Sequence, residues 1–128
     1  MKYKMFLLAI CCFLFFCKAA TAQTSVEMNN QGLAKYKAKD YTGALADFNK
    51  AVALDAKNEK ALHNRGLAKY ALKDYAGSIA DQTSAIAINP AYSNAYNDRG
   101  MVYYRQNNFT SALTDYNNSI KNDPVYFL

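Results

Sequence analysis

The strongest constraint on this chain is a period. Glycine recurs at Gly32, Gly66 and Gly100, spaced by 34 residues. The same spacing relates Tyr36, Tyr70 and Tyr104; Asp40, Asp74 and Asn108; Tyr41, Tyr75 and Phe109; Asp47, Asp81 and Asp115; and Ala51, Ala85 and Ser119. The frames are 25–58, 59–92 and 93–126, and the first two share 14 of 34 residues, including Gly-Leu-Ala-Lys-Tyr at 32–36 and 66–70. A self-similar unit of this length is one supersecondary element that buries its apolar face only against its neighbours, and about three copies are needed for stability.

Each unit reads as two helices. In the second unit Leu62, Leu67, Tyr70 and Ala71 recur near helical spacing, then Asp74 interrupts. Asp40, Asp74 and Asn108 each precede an aromatic and a new periodic run, the place of an N-cap whose side-chain oxygen takes a free amide of the first turn. Ile79, Ala85, Ile86 and Ile88 mark the second helix. Asn89-Pro90 and Asp123-Pro124 mark ends, because a residue before proline is pushed out of helical geometry. The glycines have a packing reason: two closely crossing helices need a side chain removed, and small Ala44, Ser78 and Ala112 face that point from the second helix.

Composition matters where the repeats stop. Residues 1–22 hold Lys2, Lys4 and Lys18 and no acid, while the remainder holds 12 basic and 10 acidic residues. The body is therefore nearly neutral, a poor basis for nucleic-acid binding, which requires a basic stripe to displace counterions. Met5–Phe16 is apolar, and Ala20-Thr21-Ala22 supplies the small residues of a cleavage site before Gln23. This is the pattern of a secretory signal peptide over residues 1–22, and the apolar run is short of the roughly 20 residues of a bilayer span. A retained anchor is the other reading. The expected mature domain is 23–126 with a two-residue tail at 127–128, exported to a periplasmic or extracellular compartment of a bacterial envelope, with no stable membrane span after cleavage. Cys11, Cys12 and Cys17 all lie in the leader, so the body has no disulfide, no cysteine nucleophile and no thiolate metal site.

The period, with Gly32/Gly66/Gly100, Ala44/Ala112, Phe48/Tyr116 and Pro90/Pro124, resembles the tetratricopeptide repeat. The Asn64-Arg65-Gly66 and Asp98-Arg99-Gly100 triplets are similar to a variant of bacterial repeat proteins. Departures are Met28, Leu62 and Tyr96 in the usual tryptophan slot, Lys35 and Lys69 where a tyrosine is usual, and Gln82 in the aromatic slot of Phe48 and Tyr116. Gln82 is expected between its two helices as a partly buried amide that forgoes aromatic burial, so that tyrosine there should stabilise. The resemblance implies an all-α fold, a right-handed solenoid of helix-turn-helix repeats, whose first helices line a concave face that binds another polypeptide.

Catalysis finds no support. Asp47, Asp81 and Asp115 lie one repeat apart on helices spaced roughly 8–10 Å, so they are not a catalytic pair; pairing with Arg65, Arg99 or solvent is expected. His63 is the sole histidine and shows no partner in sequence, which also excludes a His-pair metal site. No glycine loop cradles phosphate. No catalytic residue, metal or cofactor is expected.

The slots that line the groove in the resembled family fall on Val26, Asn29, Leu33, Tyr36 and Lys37; on Lys60, His63, Leu67, Tyr70 and Ala71; and on Asn94, Asn97, Met101, Tyr104 and Arg105. The tyrosine ladder and the Asn29/His63/Asn97 row suit peptide recognition, because tyrosine offers apolar area with a hydroxyl and asparagine adaptable hydrogen bonds. The same tyrosines equally suit packing between helices. The family's carboxylate clamp asks for Lys, Asn, Asn, Lys and Arg where this chain has Asn29, Leu33, Asn64, Asn94 and Asp98. Asp98 has the wrong sign for holding a carboxylate, so recognition of heat-shock-chaperone tails is not expected. The alternative to a binding groove is self-association through an uncovered last helix offering Ala112, Leu113, Tyr116 and Ile120.

Overall fold

The computed structural model describes residues 23–123 and Val125. The leader and the 127–128 tail lie outside the described residues. Among the described residues six helices follow one another, with no strand: α1 (Ser25–Lys37), α2 (Tyr41–Leu54), α3 (Glu59–Ala71), α4 (Tyr75–Ile88), α5 (Ser93–Arg105) and α6 (Phe109–Asn122). They pack as three pairs, α1 on α2, α3 on α4 and α5 on α6, and each pair stacks on the next. The first helices also touch one another, α1 on α3 and α3 on α5, so they form one continuous wall.

Local chemistry sets the boundaries. Asp40, Asp74 and Asn108 cap α2, α4 and α6, accepting from the amides of Gly43, Gly77 and Ser111. Thr24 and Glu27 form a reciprocal capping box on α1. Asn58 caps α3. Tyr92 stands at the equivalent place before α5 and makes no side-chain cap. The turn inside each pair reverses through a left-handed residue: Lys39, Lys73 and Asn107, at φ 63°, 65° and 61°. There the amide one residue on reaches back to the carbonyl of Lys35, Lys69 or Tyr103, satisfying the end of the first helix.

The glycines let the paired helices close. A Cβ at Gly32 would sit 2.6 Å from the Phe48 ring, one at Gly66 2.8 Å from Gln82 Nε2, and one at Gly100 3.0 Å from the Tyr116 ring. The slot-filling side chain, rather than the small residue beside it, meets the glycine most closely; the Ser78 and Ala112 carbonyls follow at 3.3 Å. Ala44 and Ala112 are buried. Met28 and Leu62 fill the space between repeats, Met28 against Ala51 and Ala61, Leu62 against Ala85 and Ala95.

Two sequence expectations need correction. Asp81 and Asp115 pair with Arg65 and Arg99 as expected, but none of the three carboxylates is left to solvent: each is buried, Asp47 against Lys35, Asp81 against Arg65 and Lys69, and Asp115 against Arg99. Gln82 is not partly buried but wholly so, and it is hydrogen-bonded rather than merely tolerated.

Candidate functional site

The wall of α1, α3 and α5 carries the groove slots. Val26, Lys37, Lys60, Asn94, Asn97, Tyr104 and Arg105 are exposed on it. Leu33, Tyr36, Leu67, Tyr70, Ala71 and Met101 are half-buried. Each ladder tyrosine packs on the aromatic that opens its partner helix: Tyr36 on Tyr41, Tyr70 on Tyr75 and Tyr104 on Phe109, at centroid distances of 5.2, 5.6 and 5.4 Å. Each rung is thereby tied into its repeat, and Leu33 and Tyr36 also pack on Ala44, Phe48 and Ala68. Tyr104, 58% exposed, is the rung most open to a partner.

Asn29 and His63 do not face solvent as a row with Asn97. Both are buried and bind the next repeat. Asn64 Nδ2 donates to Asn29 Oδ1 at 2.9 Å, and His63 Nε2 lies 3.5 Å from Asp98 Oδ2. These are one contact made twice, each joining a residue to the one 35 positions on. The sequence carried that signal in the adjacent rows Asn29/His63 and Asn64/Asp98, but only as a pair offset by one from the period. Asn97, exposed, makes a long 3.4 Å hydrogen bond to Asp98 Oδ1.

His63 therefore has partners that the sequence did not reveal. Gln82 Nε2 donates to the His63 carbonyl at 3.2 Å, which turns Gln82 Oε1 toward His63 Nδ1 at 2.9 Å. An amide oxygen only accepts, so Nδ1 carries the hydrogen. Nε2 of a neutral ring would then be a bare acceptor facing the Asp98 carboxylate. Burial pushes the Asp98 carboxyl above the usual carboxylate range, opposed by the charge of His63 and the bond from Asn97. Tyr92 covers the His63 ring at a centroid distance of 5.0 Å, which is what the helix start gains in place of a cap.

Burial likewise pushes the hydroxyls of Tyr36, Tyr92 and Tyr116 up, with Asp98 adding to each, so they remain donors at neutral pH. Among the described residues no three His, Cys, Asp or Glu side chains converge as a metal site, and no helix is long and apolar enough to cross a membrane. With the ring 7% exposed and both nitrogens engaged, His63 serves as a tie between repeats.

Stacked helix pairs with a continuous inner wall define an α-solenoid repeat module. The chain belongs to the tetratricopeptide repeat family: residues 32–73 match a TPR repeat model, and residues 59–92 and 93–124 match tetratricopeptide repeat models. Comparison with curated proteins gives no match. Solved structures do match. The first TPR of Spaghetti (RPAP3) bound to the HSP90 peptide SRMEEVD is 26% identical, with TM-score 0.77 over 80% of this chain and 82% of that one. The Arabidopsis OM64 TPR domain is 26% identical, with TM-score 0.77 over 79% of this chain and 84% of that one. The first TPR domain of human RPAP3 is 26% identical, with TM-score 0.76 over 79% and 80%. The fold is thus the right-handed solenoid that the resemblance to the tetratricopeptide repeat implied, and the similar RPAP3 domain was solved with an HSP90 peptide bound.

Proposed function

We propose that this protein is a non-catalytic module of the cell envelope that binds a polypeptide segment along the α1/α3/α5 wall. The observation that carries the reading is the extent of the likeness to a peptide-bound TPR domain, 80% of this chain at TM-score 0.77. The wall adds chemistry suited to a peptide: exposed Val26, Tyr104 and Asn97 beside half-buried Leu33, Leu67 and Met101. A terminal carboxylate is not the expected determinant, because the clamp slots hold Asn29, Leu33, Asn64, Asn94 and Asp98 and so offer no cationic donor. The test is capture from the organism's own envelope extract, comparing wild type with Tyr70→Ala and Tyr104→Ala. A hot-spot tyrosine is worth about 2 kcal/mol or more of binding. Loss of a specific partner with an unchanged thermal melt supports the groove. A melt lowered in step with binding returns Tyr70 to packing.

One observation favours a second reading, self-association through α6. Of the four residues expected to be uncovered there, Ala112 is buried and Tyr116 half-buried against Gly100, but Leu113 and Ile120 are exposed on one face, seven residues apart. Light scattering across a concentration series decides it: oligomers abolished by Leu113→Lys with Ile120→Lys favour self-association, and a monomer at every concentration excludes it.

A further inference from the structure

Asp47, Asp81 and Asp115 occupy equivalent buried positions, but their cation partners differ. Asp47 Oδ2 meets Lys35 Nζ at 2.7 Å, a contact of charges rather than a directed hydrogen bond. Asp81 receives both Arg65, through Nε at 2.9 Å and Nη2 at 2.7 Å, and Lys69 Nζ at 2.9 Å. Among the described residues Asp115 receives Arg99 alone, through Nε and Nη2 at 2.8 Å each, because Tyr103 stands where the first two repeats have lysine.

The neighbours change with it. In the second repeat the Lys69 stem runs over Gly77, where a Cβ would lie 2.9 Å from Lys69 Cδ. In the third repeat that glycine is Ser111, and Ala76 and Ala80 become Thr110 and Thr114. The result is a cavity of about 210 Å³ between α5 and α6, lined by Arg99, Tyr103, Thr110, Ser111, Thr114 and Asp115. These six are the counterparts, one repeat on, of Arg65, Lys69, Ala76, Gly77, Ala80 and Asp81.

We propose that this cavity binds a primary alkylammonium group in the place that the Lys69 ammonium takes one repeat earlier. An ammonium has three donors and no acceptor. The cavity answers with a buried carboxylate and four hydroxyls, each with acceptor lone pairs; the Thr114 hydrogen is already committed to the Thr110 carbonyl at 3.0 Å. The guanidinium does not exclude a second cation, because Arg65 and Lys69 share Asp81 in the second repeat. The remaining arm of Arg99 is turned to Thr83 at 2.9 Å, as that of Arg65 is to Asn49. At roughly 30 Å³ per water, the volume accepts an ammonium with several methylenes. The ammonium arrives either on a lysine side chain of another protein or on a free amine. The site lies between α5 and α6, none of its six lining residues is one of the groove slots, and it stands or fails independently of the groove.

The test is an NMR titration of the protein with butylammonium chloride, with butanol as the neutral control, and with the peptide acetyl-Gly-Lys-Gly-amide. Saturable shifts of the Thr110, Ser111 and Thr114 amides are expected with butylammonium, and binding about tenfold weaker or absent with butanol, in line with the greater strength of charge-assisted hydrogen bonds. Tighter binding of the peptide than of the amine assigns the site to lysine side chains; equal binding assigns it to free amines. Tyr103→Lys combined with Ser111→Gly rebuilds the second repeat's arrangement and should abolish the response. No saturable shift with either cation, an equal response to butanol, or a response that survives in the double variant overturns the proposal.

Discussion

The first and second repeats fill the same slot with opposite chemistry. Phe48 lies against Gly32 wholly buried, among Ala44 and Ala68 with Leu33, Tyr36 and Leu45 around it. Gln82 lies against Gly66, equally buried, but its amide spans the His63 carbonyl and ring, and through the ring it reaches Asp98 on the third repeat. One slot holds its own helix pair together by apolar contact. The other spends the same volume on orienting a side chain that ties two repeats. The difference shows why a polar residue in a core position is not by itself a defect: a fully satisfied buried network rigidifies, and a half-satisfied one is costly.

The largest effect should come from breaking the apolar side. Phe48→Ala removes a fully buried ring beside a glycine that cannot fill the void, and should cost about 3–5 kcal/mol in denaturant unfolding. Gln82→Leu keeps most of the volume but strands His63 Nδ1–H, and should cost about 1–3 kcal/mol. Gln82→Tyr, which sequence alone suggests as stabilising, loses the same hydrogen bonds, and its gain in aromatic burial of about 1.5–3 kcal/mol is offset by that loss. If Gln82→Leu is as stable as wild type, the network contributes nothing and the two slots are equivalent.

The Asp98 end of the network gives a pH test. Its native pKa is raised from the ordinary 3.8, so the folded chain holds this proton more tightly than the unfolded chain. The sign follows: the contribution is fully present below 3.8 and is lost as pH rises through the native value. Asp98→Asn removes that slope and offers an N–H to His63 Nε2. The variant should be more stable than wild type at neutral pH by about 1 kcal/mol, with a flatter profile of melting temperature against pH from 3.8 up through the native value of Asp98. A steeper profile, or a less stable variant at neutral pH, would show that the ionised carboxylate is the form the fold needs.

How much of this was legible in sequence depends on whether a feature repeats in phase. Helix boundaries were, because the caps Asp40, Asp74 and Asn108 and the glycines fall on the period and act through local geometry. The Asp–Arg pairs were half legible: Arg65 and Arg99 stand at fixed offsets from Asp81 and Asp115, but periodicity does not say that a carboxylate is buried until the covering stems are seen. The His63 network was not legible. It joins residues from three helices, and one of them, Gln82, breaks the pattern of its slot. Nor was the end of the tyrosine ladder, because the exposure of Tyr104 against the half-burial of Tyr36 and Tyr70 depends on what packs around each repeat.

The smallest expected effect supplies the internal control. Unlike the slots, the turns within the repeats are alike: Lys39 and Lys73 both hold a left-handed conformation, at φ 63° and 65°, and each turn is closed by the same pair of backbone hydrogen bonds. A left-handed lysine costs about 1–2 kcal/mol, and glycine relieves it at an entropic loss of about 0.5–1 kcal/mol. Lys39→Gly and Lys73→Gly should therefore each stabilise by about 0.5–1 kcal/mol, and Asn107→Gly by less, because asparagine already tolerates this region. Equal gains in the first two repeats would show that the array unfolds as one unit and that repeat identity does not scale a local change. The unequal costs of Phe48→Ala and Gln82→Leu would then belong to the slots themselves. A gain at Lys39 without one at Lys73 would instead show the repeats melting separately, and the slot comparison would have to be remade with each repeat's own transition followed by hydrogen exchange.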